Sequence, residues 1–424
     1  EGAMYMGSDA LALGRFTDRI TYLSDGEWAC LTKTGGRFLN GQGDTIEPQI
    51  KQMSLLSARV GKGNFRHFML KEIYEQPTVI GETLNAYFNP VSRTIQLPDC
   101  PFDLASVPKI TIIACGTSFF AAMVARYWFE SVAGVSVEID IASEFRYRGA
   151  TMAPGGLVVC VSQSGETVDT LAALRYAKEQ GQHIAAIVNV PESAIAREAD
   201  VVFPTHAGPE IGVASTKAFT CQLVVLACIA IAAGVARKAL DRDTESRLCR
   251  AIAEVPARAA EVLNHDEWLR ELVPKIGEAQ DVLYIGRGTS SAIALEGALK
   301  LKEISYIHAE GFPAGELKHG AIALVDETVP VIVIAPNDSV FQKTASNMEE
   351  VIARGGKVTL ISDASGIAAT GRAAAHNVEL PSVDPFVAPI LYAIPVQLLA
   401  YHVAAHKGTD VDQPRNLAKS VTVE

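Results

Sequence analysis

The sequence predicts an α/β protein of two tandem, doubly wound parallel sheets with flanking helices, preceded by a short β-rich segment. Three observations predict it. First, 49% of the 424 residues are hydrophobic, 20% are charged and only 7% are aromatic, with 33 Gly. That excludes a disordered chain and suits an Ala-rich α/β fold better than an all-β sandwich. Second, the chain repeats itself. At a shift of 172 residues Gly116-Thr117-Ser118 falls on Gly288-Thr289-Ser290, and Ala142-Ser143-Glu144-Phe145-Arg146 on Ala314-Gly315-Glu316-Leu317-Lys318. At a shift of 174, Leu157–Val161 falls on Val331–Ala335, Gly181 on Gly355, and Ala186–Val188 on Leu360–Ser362. Repeats of this length are whole domains, not solenoid units. Third, each copy reads strand, helix, strand, helix, strand, which implies parallel sheets with right-handed crossovers.

Taken in order, Arg19–Leu23, an Asp25-Gly26 turn and Trp28–Leu31 read as a β-hairpin. A polar stretch follows (Thr34-Gly35-Gly36, Gly41-Gln42-Gly43), and Gly61-Lys62-Gly63-Asn64 reads as a linker. Met69–Gln76 starts helical, and Pro77 reads as its breaker. Ile110–Ala114 opens the first strand-to-turn unit, with Cys115-Gly116-Thr117-Ser118 as its turn. Lys238–Ala279 is a charged helical connector between the copies.

Net charge is −11, with an isoelectric point near 5.4. This argues against a nucleic-acid partner held by bulk electrostatics but leaves room for a small anion bound by local N–H groups. The seven Cys (30, 100, 115, 160, 221, 228 and 249) form no C-x-x-C pair and read as buried thiols of a reducing cytosol. Glu1-Gly2-Ala3-Met4 shows no basic stretch leading into an apolar core, as a secretory leader would. The chain does not start with Met, and a fragment or processed product is the expectation. Leu223–Ala236 and Phe386–Ala405 are apolar runs. The first reads as a buried core helix, and Pro389, Pro395, Gln397 and His402 weaken the second as a membrane span. No membrane partner is expected.

In doubly wound sheets ligands sit beyond the carboxyl ends of the strands, so the two copies are compared there. The first has Ser162-Gln163-Ser164-Gly165-Glu166-Thr167, and the second has Pro336-Asn337-Asp338-Ser339. Hydroxyls, an amide, a Gly and a following helix suit a phosphate. Pro336 lacks an N–H and Asp338 repels an anion. Two readings stay open for the first loop: a helix cap, or a phosphate site present in the first copy only. The loop is neither a Walker loop nor a dinucleotide fingerprint.

Lys300 and Glu303 lie three apart on one helical face, as a surface ion pair or as site residues. His319 stands between Lys318 and Gly320, as a turn residue or a site residue. His402 and His406 share a helix face without a third ligand, so no metal is expected. No cofactor is expected either. The end of the chain, Asn416–Val423, is not low-complexity and could dock.

Several motifs together resemble a known family. They are Cys115–Ser118, Ser143–Tyr147, Ser162–Thr167, Glu210-Ile-Gly-Val-Ala-Ser-Thr-Lys217, Leu295–Ser305, Gly315–Gly320 and Asp412–Glu424. From about residue 66 onward they resemble the sugar-isomerase (SIS) domain pair of the glutamine–fructose-6-phosphate aminotransferases (isomerizing), the glucosamine-6-phosphate synthases. The resemblance implies a glutaminase-domain (class II amidotransferase) remnant over 1–65 and a linker with a helix over 66–105. It implies a phosphate-binding SIS domain over 106–239, a connector over 240–276, an acid/base SIS domain over 277–407 and an active-site tail over 408–424. The family's glutaminase nucleophile is an N-terminal Cys, where this chain has Glu1.

By the same resemblance, Ser162, Gln163, Ser164 and Thr167 hold the phosphate, and Thr117, Ser118, Val213, Ser215 and Ala418 line the sugar. Lys419 attacks C2 of open-chain fructose 6-phosphate, and Glu303 moves a proton between C1 and C2 with Lys300 nearby. His319 assists ring opening from the neighbouring subunit. The implied product is glucosamine 6-phosphate, from a cytoplasmic homodimer or larger assembly normally fused to a glutaminase domain. Two other classes remain as alternatives: an SIS-type sugar-phosphate deglycase or deaminase, and a non-catalytic sugar-phosphate sensor.

Overall fold

In the N-terminal part, strand pairing is set by contacts distant in sequence. The computed structural model describes residues 3–7, 13, 16–24, 26–33, 35–52, 61–264 and 266–422, and divides into two units, Glu1–Asn64 and Phe65–Glu424. In the first unit, β1 (Arg19–Ile20) pairs antiparallel with β5 (Lys51–Gln52), not with the strand that follows it. The hairpin is instead β2 (Trp28–Thr32) with β3 (Gly35–Leu39), extended by β4 (Thr45–Ile46). The expected hairpin about Asp25-Gly26 is thus displaced, and Asp25 and Thr34 lie outside the described residues. Of the glycines that read as a polar stretch, Gly35 and Gly36 form strand, because backbone pairing needs no side chain, while Gly41 and Gly43 lie in the turn that follows. A Cβ on Gly36 would sit 3.0 Å from Leu31 Cδ2.

The second unit opens with α1 (Phe68–Asn85), which runs straight through Pro77. Proline removes the N–H that would bond Ile73 O, and the Gln76 side chain supplies that carbonyl's partner at 3.1 Å. A small ribbon, β6 (Phe88–Asn89) with β7 (Thr94–Ile95), follows.

The first repeat is a five-stranded parallel sheet in the order β12-β11-β10-β8-β9, with β8 Lys109–Ala114, β9 Ser136–Ile141, β10 Leu157–Ser162, β11 His183–Val188 and β12 Val201–Pro204. The second repeats it as β14-β13-β15-β16-β17, with β13 Asp281–Gly286, β14 His308–Pro313, β15 Pro330–Ile334, β16 Lys357–Asp363 and β17 His376–Leu380. Both have the doubly wound order 2-1-3-4-5, so the strand order reverses between the first and third strand of each copy. Near-continuous apolar strands such as Leu157–Ser162, buried at every position, are those of a sheet covered on both faces. Gly181 and Gly355, matched by the repeat, both take positive φ (71° and 87°).

Helices α2 (Gly116–Trp128) and α3 (Val168–Glu179) follow β8 and β10, and α4 (Lys217–Ala236) closes the first copy. The connector forms α5 (Arg242–Leu263) and α6 (Asp266–Gly277). In the second copy α7 (Thr289–Ser305) follows β13, α8 (Phe341–Ile352) follows β15, and α9 (Ala388–Lys407) closes it.

Among the described residues, α4 and α9 are long and apolar enough to cross a membrane, but 89% and 94% of their apolar windows are buried inside the fold. An all-round apolar helix of this kind is a core helix here. Four of the seven thiols (Cys160, Cys221, Cys228 and Cys249) are buried, whereas Cys30 is exposed and Cys100 and Cys115 are half-buried. The expectation of uniformly buried thiols is corrected at Cys30, because its strand lies in a thin three-stranded sheet.

Candidate active site

The reversal point of the first sheet falls between β8 and β10, and the turns leaving these two strands form one wall of a cleft. The cleft holds about 300 Å³ and is lined by Cys115–Ser118, Ser162–Ser164, Thr167, Val213, Ser215, Lys300, Glu303 and the tail residues 417–421, among others. Gly116 turns the chain at φ +54°, a conformation that costs side-chain-bearing residues. Gly165 (φ +67°) packs so closely that a Cβ would lie 1.9 Å from Ser193 Oγ.

The Ser162–Thr167 turn is bonded internally. Ser162 Oγ accepts the Gly165 N–H at 3.0 Å and lies 3.0 Å from Thr167 Oγ1, and Ser164 Oγ accepts the Glu166 N–H at 3.2 Å. Thr167 does not cap α3 with its side chain. Instead the Val168 N–H donates to the Val421 carbonyl of the tail at 3.2 Å. In the second copy, Asp338 and Asp363 spend their carboxylates on backbone N–H groups of Val340 and Asn337 (2.9 and 2.8 Å). That turn is self-satisfied and acidic, so the two copies differ as their sequences imply.

The tail is fastened at several points. Both Asp412 carboxylate oxygens accept N–H groups of Phe68 and Met69 at 3.0 Å, filling orphan donors at the start of α1. Its carbonyl accepts the Val213 N–H. The Arg415 guanidinium lies 4.2 Å over the Tyr306 ring. Lys419 then reaches the cleft, where Nζ donates to Glu210 Oε2 at 2.5 Å and to Gly212 O at 2.8 Å.

Glu210 is fully buried. Its other oxygen accepts the Thr216 and Ala218 N–H groups (2.9 and 3.0 Å), and the Ser215 hydroxyl donates to Oε2 at 3.0 Å. Burial pushes its pKa up, but the Lys419 charge and these hydrogen bonds outweigh burial and hold it at about 2. Behind it, Glu72 of α1 accepts N–H groups of Ile211 and Gly212. Burial, followed by the Glu210 charge, pushes Glu72 up to about 7.

Opposite lies a second charged group, on α7. Lys300 is fully buried, so the reading as a surface pair is corrected. The two repeats pack here, with α7 against α2, and that packing buries a side chain that helical spacing alone leaves exposed. Lys300 Nζ lies 2.7 Å from Glu303 Oε2 and 3.6 Å from Glu296 Oε1, and donates to Thr117 Oγ1 at 3.0 Å. Burial drives the Lys300 pKa down, but Glu296 and Glu303 overcome this and raise it. Glu296 is fully buried, and burial is the main cause that pushes its pKa up to about 8, against the lowering effect of the Lys300 charge.

The structure therefore brings together Thr117, Ser118, Ser162, Gln163, Ser164, Thr167, Val213, Ser215, Lys300, Glu303, Ala418 and Lys419. It does not bring in His319, which is exposed and absent from the described residues lining the cleft. His402 bonds Asp266, and no group of three or more metal-ligating side chains occurs among the described residues. Sequence reasoning passed over Glu210, Glu296 and Glu72. Glu296 was findable, four residues before Lys300 on the same helix face. Glu210 opens a motif that was noted without a role for it. Nothing local marks Glu72.

Two repeats that meet at a hydroxyl-rich turn define a pair of sugar-isomerase domains, and the SIS domain family model matches residues 103–232 and 275–407. Glutamine–fructose-6-phosphate aminotransferases (isomerizing) of Zymomonas mobilis and Brucella abortus are 55% and 53% identical over the full chain, which spans 70% of each. The chain belongs to the glutamine–fructose-6-phosphate aminotransferase (isomerizing) family. The C-terminal domain of the Francisella tularensis glucosamine-fructose-6-phosphate aminotransferase is 44% identical and superposes with a TM-score of 0.81 over 84% of this chain and 100% of that one. A glucosamine-6-phosphate deaminase of Thermotoga maritima, 21% identical with a TM-score of 0.67 over 84% of this chain and 99% of that one, shares the fold.

Proposed function

We propose that the cleft binds fructose 6-phosphate and carries the isomerase and amination half of glucosamine 6-phosphate formation. One observation carries the reading: the Lys419 amine, the Ser162–Thr167 turn and Glu303 line the same cleft. Ser162, Gln163, Ser164 and Thr167 hold the phosphate at the start of α3, where N–H groups and the helix dipole favour an anion. Thr117, Ser118, Val213, Ser215 and Ala418 line the sugar. Lys419 adds to the C2 carbonyl and loses water to form an imine, a better electron sink than the ketone. Ammonia then takes its place on C2. Glu303 carries the proton between C1 and C2, steadied by Lys300. Without ammonia the same proton shift on the free ketose gives glucose 6-phosphate.

The proposed partition follows the same logic: a glutaminase-domain remnant over 1–65, linker and helix over 66–105, SIS domains over 106–239 and 277–407 about the 240–276 connector, and the tail over 408–424. Glutamine-derived ammonia then comes from a glutaminase domain at the N-terminal side. His319 enters the site of a neighbouring subunit, so the working unit is a homodimer or larger, in the cytoplasm.

The test is a dehydrogenase-coupled assay of glucose 6-phosphate formation without glutamine, beside borohydride trapping of the bound sugar. The wild-type chain turns over and traps. Glu303→Gln loses turnover while still binding sugar, and Lys419→Ala loses trapping. No wild-type turnover with binding intact overturns the reading in favour of a sensor.

A further inference from the structure

An amine must be unprotonated to attack a carbonyl, so a proton acceptor is needed within reach, and Lys419 Nζ donates to the fully buried Glu210 carboxylate at 2.5 Å. Lys419 Nζ bonds Glu210, whereas Glu303 and Glu296 lie beside Lys300 and Glu72 accepts the Ile211 and Gly212 N–H groups. Glu210 is held rigidly by two backbone N–H groups and the Ser215 hydroxyl, leaving Oε2 aimed at Nζ. Glu72 accepts the N–H of Gly212, the residue whose carbonyl takes the second Nζ hydrogen bond, and a Cβ on Gly212 would lie 2.9 Å from Glu72 Oε2.

We propose that Glu210 is the proton carrier of imine formation, a catalytic residue that takes the Lys419 proton and returns it to the departing oxygen. The inference rests on the reading that Lys419 forms the imine. The ammonium gives one proton to the Glu210 carboxylate, and the free amine adds to C2 as the C=O π bond breaks. The proton passes through Glu210 to the oxygen, giving a carbinolamine. A second transfer through Glu210 lets the C–O bond break and water leave. The sum is R–NH3⁺ + O=C → R–NH⁺=C + H2O, so Glu210 begins and ends ionised and faces the iminium as its counter-ion. Its setting joins Glu72 from α1, Lys217 at the start of α4, Lys300 from α7 and Lys419 from the tail.

The experiment is the rate of borohydride-trapped adduct on Lys419, located by peptide mass, for the full chain with fructose 6-phosphate from neutral to alkaline pH. In Glu210→Gln the rate at neutral pH falls roughly 10²-fold or more, the scale of general acid–base assistance. It recovers as solvent base deprotonates the amine, while inorganic phosphate binds as before. Glu210→Asp, which keeps the charge but draws it back from Nζ, falls between and recovers in the same way. A wild-type rate in Glu210→Gln overturns the inference alone. So does a loss that alkaline pH leaves unchanged, which makes Glu210 only an anchor for the tail. A wild-type adduct missing from Lys419, or found on another lysine, overturns the proposed function and this inference with it.

Discussion

Ser164 lines the cleft from a turn in which its Oγ accepts the Glu166 N–H at 3.2 Å. A carboxylate there would face the phosphate proposed to bind at this turn. Two unit charges about 4 Å apart at an effective dielectric of about 20 repel by on the order of 4 kcal/mol. Ser164→Asp is therefore expected to weaken fructose 6-phosphate binding by roughly 10² or more, read by calorimetry. Equal affinity would remove the phosphate from this turn. At the same scale, helical spacing placed Glu303 and Lys300 on one face but left open a surface pair or a site, and only the family resemblance gave Glu303 a role. The burial of Lys300 was not legible, because the repeat that covers it is nearly two hundred residues away in sequence, at Thr117.

At the scale of elements, the tail and α1 act together. The His67 side chain does not cap α1, and the Phe68 and Met69 N–H groups donate to the Asp412 carboxylate. The same helix supplies Glu72 to the loop that receives Lys419. Removing the cap with Asp412→Ala is expected to cost about 0.5–2 kcal/mol of stability, measured by denaturant unfolding. Trapping on Lys419 should fall further than phosphate binding, because the anion turn belongs to another element. If both fall equally, Asp412 serves the fold and not the tail. Pro77 misled as a helix breaker because the compensating Gln76 side chain is invisible to local rules.

At the scale of the whole molecule, duplication has left two sheets of the same order with different turns at their reversal points. The described residues lining the cleft do not include His319, so its proposed role belongs to an assembly of chains. Mixing Lys419→Ala with His319→Ala chains, denatured together and refolded, tests this. If sites are shared across a dimer, a mixed pair keeps one intact site, so random pairing of a C2 dimer restores about a quarter of wild-type activity. No gain over either parent would place His319 outside the neighbour's site.

The sequence by itself determined the repeated strand–turn–helix pattern and the unequal turns, because periodicity and hydroxyl content are local properties written in adjacent residues, while most cleft residues were named through motifs that resemble a known family. The β2–β3 pairing, the burial of Lys300 and the convergence of Glu72, Glu210 and Lys419 were decided only by the tertiary structure. Each needs segments far apart in the chain to meet, and the loss of water that turns such a meeting into chemistry has no counterpart in any single stretch of sequence.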